Sequence, residues 1–437
     1  MRDEANLLKN LKGTKDFLPE EQLLRVKIKK VLEGVFERYG VQPLETPILC
    51  FSELLTSKYA GGEEIVKEMY QLKDNGERDL ALRYDLTVPF VKVIGMNPLI
   101  RLPFKRYEIG KVFRDSPVRT GRLREFVQCD VDIVGVESVL AESELITLAV
   151  NAFRELDLEI IVEYNNRKLL TGVLRSIGVE VEKLNRVILS LDKLEKIGGK
   201  MVRIELEEAD ISESVINKIF ESLKITRLSS FSEKFKDSLV ETGVNELKEL
   251  EGYLEALDIF ENTQFNPSLA RGLNFYTGTI YEVFLKDSPI TSSVASGGRY
   301  DSIIGTFLES NKKYPAVGIS FGLDVIYTVL SLENRKEMIG SNNTVLLIPL
   351  GVEKTALKIA EVLRRGGLPV ALEMTGRKLK KALDYANKEN YKYVMILGEE
   401  EVKKEVIQLK IMGTGSSEEF SYSDPNDFIS FVSKKMH

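Results

Sequence analysis

Tryptophan is absent from this chain of 437 residues, histidine occurs once, as His437, and cysteine only twice, as Cys50 and Cys129. A single histidine at the end of the sequence cannot build a Ser/His/Asp or Cys/His nucleophilic centre, nor a zinc site made of imidazoles. Two cysteines cannot make a disulfide framework, which points to a reducing cytoplasm. No apolar run reaches the ~18 residues that a membrane span requires. The opening segment MRDEANLLKNLKGTKDFLPEE is charged, so neither secretion nor membrane insertion is expected. GxxxxGK followed by Ser or Thr is missing, as is GxGxxG between a strand and a helix, so neither usual cradle for phosphates on a helix N-terminus is available. No internal repeat or low-complexity tract is evident. Whatever chemistry the chain performs must use arginines, carboxylates or the substrate's own groups.

Charge is plentiful. With 43% apolar and 29% charged residues, the chain is long enough for two or three domains, each with its own core. A net charge of −6 argues against indiscriminate coating of nucleic acid, while leaving room for a local basic surface. The most informative stretch is RYEIGKVFRDSPVRTGRLREFVQCDVDIVG, from Arg106 to Gly135. In its second half Val127, Cys129, Val131 and Ile133 alternate with Gln128, Asp130 and Asp132, a period of two that predicts a strand with one buried and one polar face. Tyr107 to Phe113 reads as a second strand, and the segment carrying Arg114, Arg119, Arg122 and Arg124 around Pro117 and Gly121 reads as a hairpin loop. Such a pair presents guanidinium groups, suited to phosphate oxygens, and carboxylates, suited to an ammonium group, to one groove. Taken alone, the stretch also fits a basic hairpin loop beside an ordinary amphipathic strand.

The rest of the chain falls into three regions. After a GTKD loop, Leu24, Ile28, Val31, Val35 and Tyr39 predict a helix that Gly40 stops, followed by the extended VQPLETPIL. MYQLKD and ERDLALRYDLTVPF predict a strand pair around Asn75-Gly76, running into a helix near Thr87. From about Asn165 to Phe260 the chain is rich in Leu, Lys and Glu and reads as a mainly helical insertion. Strands return with LARGLNFYTGTIYEVF, a glycine turn is expected in SGGRYDSIIG, and VGISFGLDVIYTVL passes from strand to helix. From Thr344, TVLLIPL, ALKIAEVLRRGG, PVALEM, RKLKKALDYANKEN and YVMILG alternate strand and helix, as in a small α/β domain with a mostly parallel sheet.

These residues resemble the class II aminoacyl-tRNA synthetases, and among them the histidyl-tRNA synthetases, over nearly the whole chain. The helix and extended segment around Pro47 resemble the first class motif, found at the dimer interface; FRDSPVRTGRLREFVQCDVDIVG resembles the second and VGISFGLDVI the third. LARGLNFYTGTIYE and SVASGGRYDSIIG are similar to the two signatures that set the histidine-specific family apart. ALRYDLTVPF and TGRLREF are more like the eukaryotic cytosolic and archaeal type, and LRRGG, GRKLKKALDYANK, YVMILGEEE and LKIMGTG are similar to the family's anticodon-binding domain. The resemblance implies an α+β catalytic core with an antiparallel sheet over 1–331, a mainly helical insertion at about 167–260, and an anticodon-binding α/β domain over 344–437.

It also implies roles. Arg114 and Arg271 would flank the ATP α-phosphate, Arg271 doing work that a metal ion does elsewhere in the class, with Arg122 and Gly322 also at ATP. Asp85, Leu86, Thr87, Gln128 and Asp132 would surround the histidine substrate, and Phe275, Tyr276 and Tyr300 would lie near its imidazole. Arg377, Lys378 and Lys381 would meet tRNA, although a basic run alone also fits a solvated face. The implied partners are L-histidine, ATP with Mg²⁺, tRNA(His) and a second copy of the chain. No protein-bound metal and no membrane are expected. Three residues depart from the family: Asn274 replaces an aspartate, Phe275 replaces a tyrosine, and Val325 replaces the third-motif arginine that lies against ATP, with Asp324 beside it read as a free partner. The competing expectation, from another class of function, is a synthetase-like regulatory or tRNA-sensing paralogue. One such group generally lacks the C-terminal domain and the RGL arginine, both present here.

Overall fold

Pro19 opens the first long helix, Pro19–Arg38, with Glu20 and Glu21 in its first turn and Arg38 in its last, an order that favours the helix dipole. Leu24, Ile28, Leu32, Val35 and Phe36 form its buried stripe, while Val31 and Tyr39 are only half-buried. The expected stripe drifted off the true face because a helix turns 3.6 residues at a time. Gly40, at φ 68°, turns the chain out of the helix. In this computed structural model the described residues are 8–56, 66–118, 121–272, 275–310, 313–332, 344–422 and 425–436. Arg119, Asn274 and His437 lie outside them.

The chain divides into two compact units, Met1–Asn334 and Arg335–His437. In the first, the strands are β1 (Gln42–Pro43), β2 (Leu49–Phe51), β3 (Gln71–Lys73), β4 (Asp79–Leu82), β5 (Phe104–Phe113), β6 (Glu125–Val134), β7 (Ile160–Asn166), β8 (Thr263–Phe265), β9 (Thr279–Leu285), β10 (Ala295–Arg299) and β11 (Ala316–Gly322). The main sheet runs β1-β5-β6-β11-β10-β9-β7-β8. From β5 to β7 every neighbour is antiparallel, and short parallel strands close the two edges. A second sheet, β2-β4-β3, holds the expected hairpin. Its turn differs from the Asn-Gly expectation: Glu77 takes the left-handed conformation at φ 60°, and the Asp74 carboxylate accepts from the amides of Gly76 and Arg78.

Register places the polar residues together. Paired residues of an antiparallel sheet share a face, so Arg106, Asp132, Gly318 and Gly298 form one row, and Glu108, Asp130, Ser320, Ser296 and Glu282 the next. The polar face of β6 is not solvated as its alternation suggested: Asp130 and Asp132 are each 3% exposed. Gly297 and Gly298 are not a turn either, but lie inside β10. A Cβ on Gly297 would strike the Gly318 carbonyl oxygen, and one on Gly298 would stand 2.6 Å from that of Thr279. The residues are glycine because the neighbouring backbones leave no space for a side chain.

Helices from Arg167–Ile177 to Ser238–Ala256 make the insertion between β7 and β8. Asn166 caps the first by accepting from the Lys168 amide, and Gly178 ends it at φ 105°. The second unit has a five-stranded sheet, with β12 (Val345–Leu350), β13 (Val370–Leu372) and β14 (Tyr393–Gly398) parallel, and β15 (Val406–Ile411) and β16 (Ser417–Ser421) antiparallel on one edge. Helix Glu353–Arg365 packs Ala356, Ile359 and Leu363 with one apolar cluster, and helix Leu379–Lys388 packs Ala382 and Ala386 with another. The unit therefore owns its core. Periodicity gave the three parallel strands and left β15 and β16 unread.

Candidate active site

The site grows from a buried cation. Arg106 on β5 is fully buried; its Nη2 forms an ion pair with Asp132 Oδ2 at 2.7 Å and donates to the Leu86 carbonyl at 3.1 Å, and its guanidinium lies 4.3 Å from the Phe90 ring centre. The Tyr300 hydroxyl donates to the other oxygen, Asp132 Oδ1. Asp132 is thereby fixed from two sides. One step along β5, Glu108 is held by Arg83 at 2.6 Å and by both the amide and the hydroxyl of Thr46. Both pairs are buried with opposite charges in contact, and that of Arg83 and Glu108 is hydrogen-bonded as well, the condition under which charges are tolerated in a protein interior.

Two further carboxyls share this environment with Asp132. Asp85, just before helix Thr87–Met96, accepts from the Val88 amide at 3.1 Å, and burial pushes its carboxyl up to about 6 against the pull of that hydrogen bond and of Arg114. Burial pushes Asp130 further, to about 8, with Arg106 opposing. Asp132 is also raised by burial, against Arg106 and the Tyr300 hydrogen bond. Gln128 completes the β6 face and donates to the Ser320 hydroxyl at 2.9 Å.

A cavity lies over this face, lined by Asp130, Asp132, Thr87, Phe275, Tyr276, Tyr300 and the glycines of β10 and β11. Phe275 meets Tyr300 edge-on with ring centres 6.0 Å apart, and Tyr276 lies against Phe275 at 4.7 Å. Gly318 and Gly298 keep the floor flat. Arg271 pairs with Glu282 on β9 and sits 5.6 Å from the Tyr276 ring centre. Arg114, at the end of β5, donates from Nε to the Tyr84 carbonyl at 2.9 Å. Arg122 is exposed, 3.9 Å from Glu68. Gly322 ends β11 and runs into helix Leu323–Leu332, where Val325 packs over it.

Asp324 is not the free partner expected from the sequence. It is buried in an ion pair with Arg25 and accepts from the Val127 amide at 2.7 Å, tying the first helix to β6. Arg106, Asp130 and Glu282 were missed as members of the site. The strand reading began at Tyr107 and so left Arg106 outside, although Arg106 and Glu108 alternate with Tyr107 in the same way as the carboxylates of β6. In the second unit, Lys378 and Lys381 are exposed, whereas Arg377 is half-buried, bound to Glu373 at 2.9 Å and stacked 4.3 Å from the Tyr385 ring centre. Among the described residues no three His, Cys, Asp or Glu side chains gather as metal ligands would, and no helix is long and apolar enough to cross a membrane.

An antiparallel catalytic sheet with arginines and buried carboxylates on one face, followed by a separate α/β unit, defines a class II aminoacyl-tRNA synthetase. The family model described as histidyl-tRNA synthetase matches residues 13–326, and the anticodon binding domain model matches residues 344–434. Histidine–tRNA ligase 1 of Bacillus cereus is 58% identical over 96% of this chain and 97% of its own. The crystal structure of histidyl-tRNA synthetase from a Nostoc species superposes with a TM-score of 0.82 at 29% identity, covering 98% of this chain and 99% of that one. A Bacillus halodurans structure described as an ATP phosphoribosyltransferase regulatory subunit/histidyl-tRNA synthetase shares the fold, with a TM-score of 0.74 at 19% identity over 90% of this chain and 98% of its own. The chain belongs to the histidyl-tRNA synthetase family.

Proposed function

We propose that the chain is a histidine–tRNA ligase, which joins L-histidine to ATP as histidyl-adenylate and passes the histidyl group to tRNA(His). The observation that carries this reading is the cavity that combines aromatic walls, a glycine floor and buried carboxyls, a chemistry suited to a flat ring bearing N–H groups. Family membership and the second unit together disfavour a paralogue that only regulates.

In the first step a carboxylate oxygen of histidine bonds to the α-phosphorus while the bond to pyrophosphate breaks. Arg114 and Arg271 meet the charge that develops on the phosphoryl oxygens, so catalysis is mainly positioning and electrostatics. Arg122 and Gly322 contact ATP, which arrives as its magnesium complex. Asp85, Leu86, Thr87, Gln128 and Asp132 hold the amino acid, the carboxylates serving its α-ammonium, and Phe275, Tyr276 and Tyr300 lie near its imidazole. In the second step a hydroxyl of the terminal tRNA ribose attacks the carbonyl carbon, loses its proton, and AMP leaves. Residues 1–331 perform the chemistry. Residues 344–437 bind tRNA, with Lys378 and Lys381 the cations best placed and Arg377 contributing what charge Glu373 leaves.

A homodimer is part of the reading. Phe51, Leu80 and Leu72 lie in one row across the β2-β4-β3 sheet, and Phe51 is 59% exposed, Leu49 47% and Leu72 40%. Such a face suits burial against a second copy. Two buried, unpaired cysteines support a place in the cytoplasm. The deciding experiment is histidine-dependent exchange of labelled pyrophosphate into ATP by the purified protein. Exchange dependent on histidine is expected; none at any ATP concentration would overturn the reading.

A further inference from the structure

The buried arginines of this chain come with a carboxylate, except one. Arg25, Arg83, Arg106 and Arg299 pair with Asp324, Glu108, Asp132 and Glu142. Arg167, 8% exposed at the start of helix Arg167–Ile177, has no carboxylate beside it among the described residues, and burial pushes its guanidinium down to about 10, still charged at neutral pH. Its Nη1 donates to the Arg271 carbonyl at 3.5 Å and its Nη2 to the Asn185 side-chain oxygen at 3.0 Å. A guanidinium buried without a counter-charge costs free energy, and an apolar side chain would cost less, so stability alone does not account for this residue.

The surroundings show what it holds. At the end of β7, Asn165 donates from Nδ2 to the carbonyls of Pro267 and Leu269, at 3.2 and 2.9 Å. Together Asn165 and Arg167 grip three carbonyls of the segment that leads into Arg271. Beyond Phe275 and Tyr276, the Gly278 carbonyl accepts from the main-chain amide of Arg167 at 2.8 Å. Gly272 lies against the end of helix Leu184–Leu191, where a Cβ would stand 3.2 Å from Asp192 Oδ2 and 3.5 Å from Leu189. That helix carries Asn185 and belongs to the insertion. We propose that Arg167 is a positioning residue of the reaction: it ties the main chain at Arg271 to the helical insertion, and so sets where the Arg271 guanidinium meets the α-phosphate. This rests on the histidine-activating reading above. The planar fork of an arginine reaches two acceptors in fixed directions, which an ammonium on a flexible stem does not. A shift of helix Leu184–Leu191 is thereby passed to Arg271, and a misplacement of about 1 Å at the reacting centre can cost about a hundredfold in rate.

Arg167→Ala should lower kcat for pyrophosphate exchange by about tenfold or more, measured at saturating histidine and ATP. KM for histidine should change little, because Asn165 and the main-chain amide of residue 167 still hold the segment. The decisive readout is dependence on Arg271. In an Arg271→Ala background there is no guanidinium to misplace, so Arg167→Ala should add no further loss, whereas a general weakening of the fold would multiply with it. Parent-like kcat in Arg167→Ala, or losses that multiply in the double variant, would overturn the assignment. Asn185 is exposed, so Asn185→Ala spares the core while removing the insertion's end of the bridge. A severalfold fall in kcat is expected, again absent without Arg271, and an unchanged kcat overturns the tie to the insertion. Should Arg167→Ala fail to fold, the asparagine variant decides alone. Absence of exchange in the parent protein overturns the functional reading as well, whereas normal parent exchange with unmoved kcat in the variants rejects this inference only.

Discussion

At the level of single residues, arginines of two kinds do different work. Arg106 is buried and spends its charge on Asp132 and the Leu86 carbonyl, so it positions a carboxylate. Arg271 is partly exposed, paired with Glu282 beside the Tyr276 ring, and under the proposed function its charge serves the phosphoryl oxygens. Arg271→Ala is therefore expected to slow pyrophosphate exchange by about a hundredfold or more, the scale of removing one preorganised donor from a charged transition state. Histidine affinity should suffer less, and a near-normal exchange rate would reject the role. Gly318→Ala makes a complementary test with no change in charge. Its Cβ would collide with Asp132 Oδ1, which Tyr300 and Arg106 hold from both sides. The expected outcome is a raised KM for histidine with KM for ATP little altered; unchanged steady-state kinetics would show that the carboxylate can move aside.

Among the elements, the contact between helices Pro19–Arg38 and Leu323–Leu332 bears on β6 through one side chain. Asp324 joins Arg25 to the Val127 amide, and both ionic partners are buried. Removing one member of such a pair leaves an uncompensated charge inside the protein. Asp324→Ala should cost about 3–5 kcal/mol, read as a lowered midpoint in thermal or urea unfolding; a loss below 1 kcal/mol would mean that water reaches Arg25. This contact also marks what the sequence could and could not convey. Alternation along Val127–Ile133 identified a strand and its two faces, because sidedness is local. It did not reveal that both faces are buried, because coverage comes from helix Thr87–Met96 and from the segment at Phe275 and Tyr276, which are distant in sequence. Asp324 looked free for the same reason, its partner being Arg25. Gly297-Gly298 looked like a turn because glycine marks close backbone approach as readily as reversal, and only pairing with β11 distinguishes them. The helical insertion and the alternating α/β tail were legible from periodicity; β15 was not, nor was β16, whose five residues include no buried one to set a period.

Across the whole molecule, the separate cores of the two units lead to an expectation for truncation. A protein ending before Thr344 should retain histidine-dependent exchange while tRNA charging falls steeply; equal loss of both would contradict the division of labour. The apolar face of β2-β4-β3 makes an equally direct demand. The parent chain should sediment as a dimer at micromolar concentration, and Phe51→Glu, placing a charge on that face, should shift it toward monomer. A monomeric parent would remove the assigned interface.

The floor of the cavity has a consequence for heredity. Gly297, Gly298 and Gly318 are packed so closely against neighbouring strands that a single methyl group collides with backbone or with Asp132. Any missense change of a glycine codon introduces at least that methyl, so no gentle first step is open at these positions. A lineage drifting toward a different amino acid would find the floor closed to gradual change and the aromatic walls open to it. Divergence in substrate preference among descendants of this sequence should therefore begin at Phe275, Tyr276 and Tyr300, with the glycines the last to change.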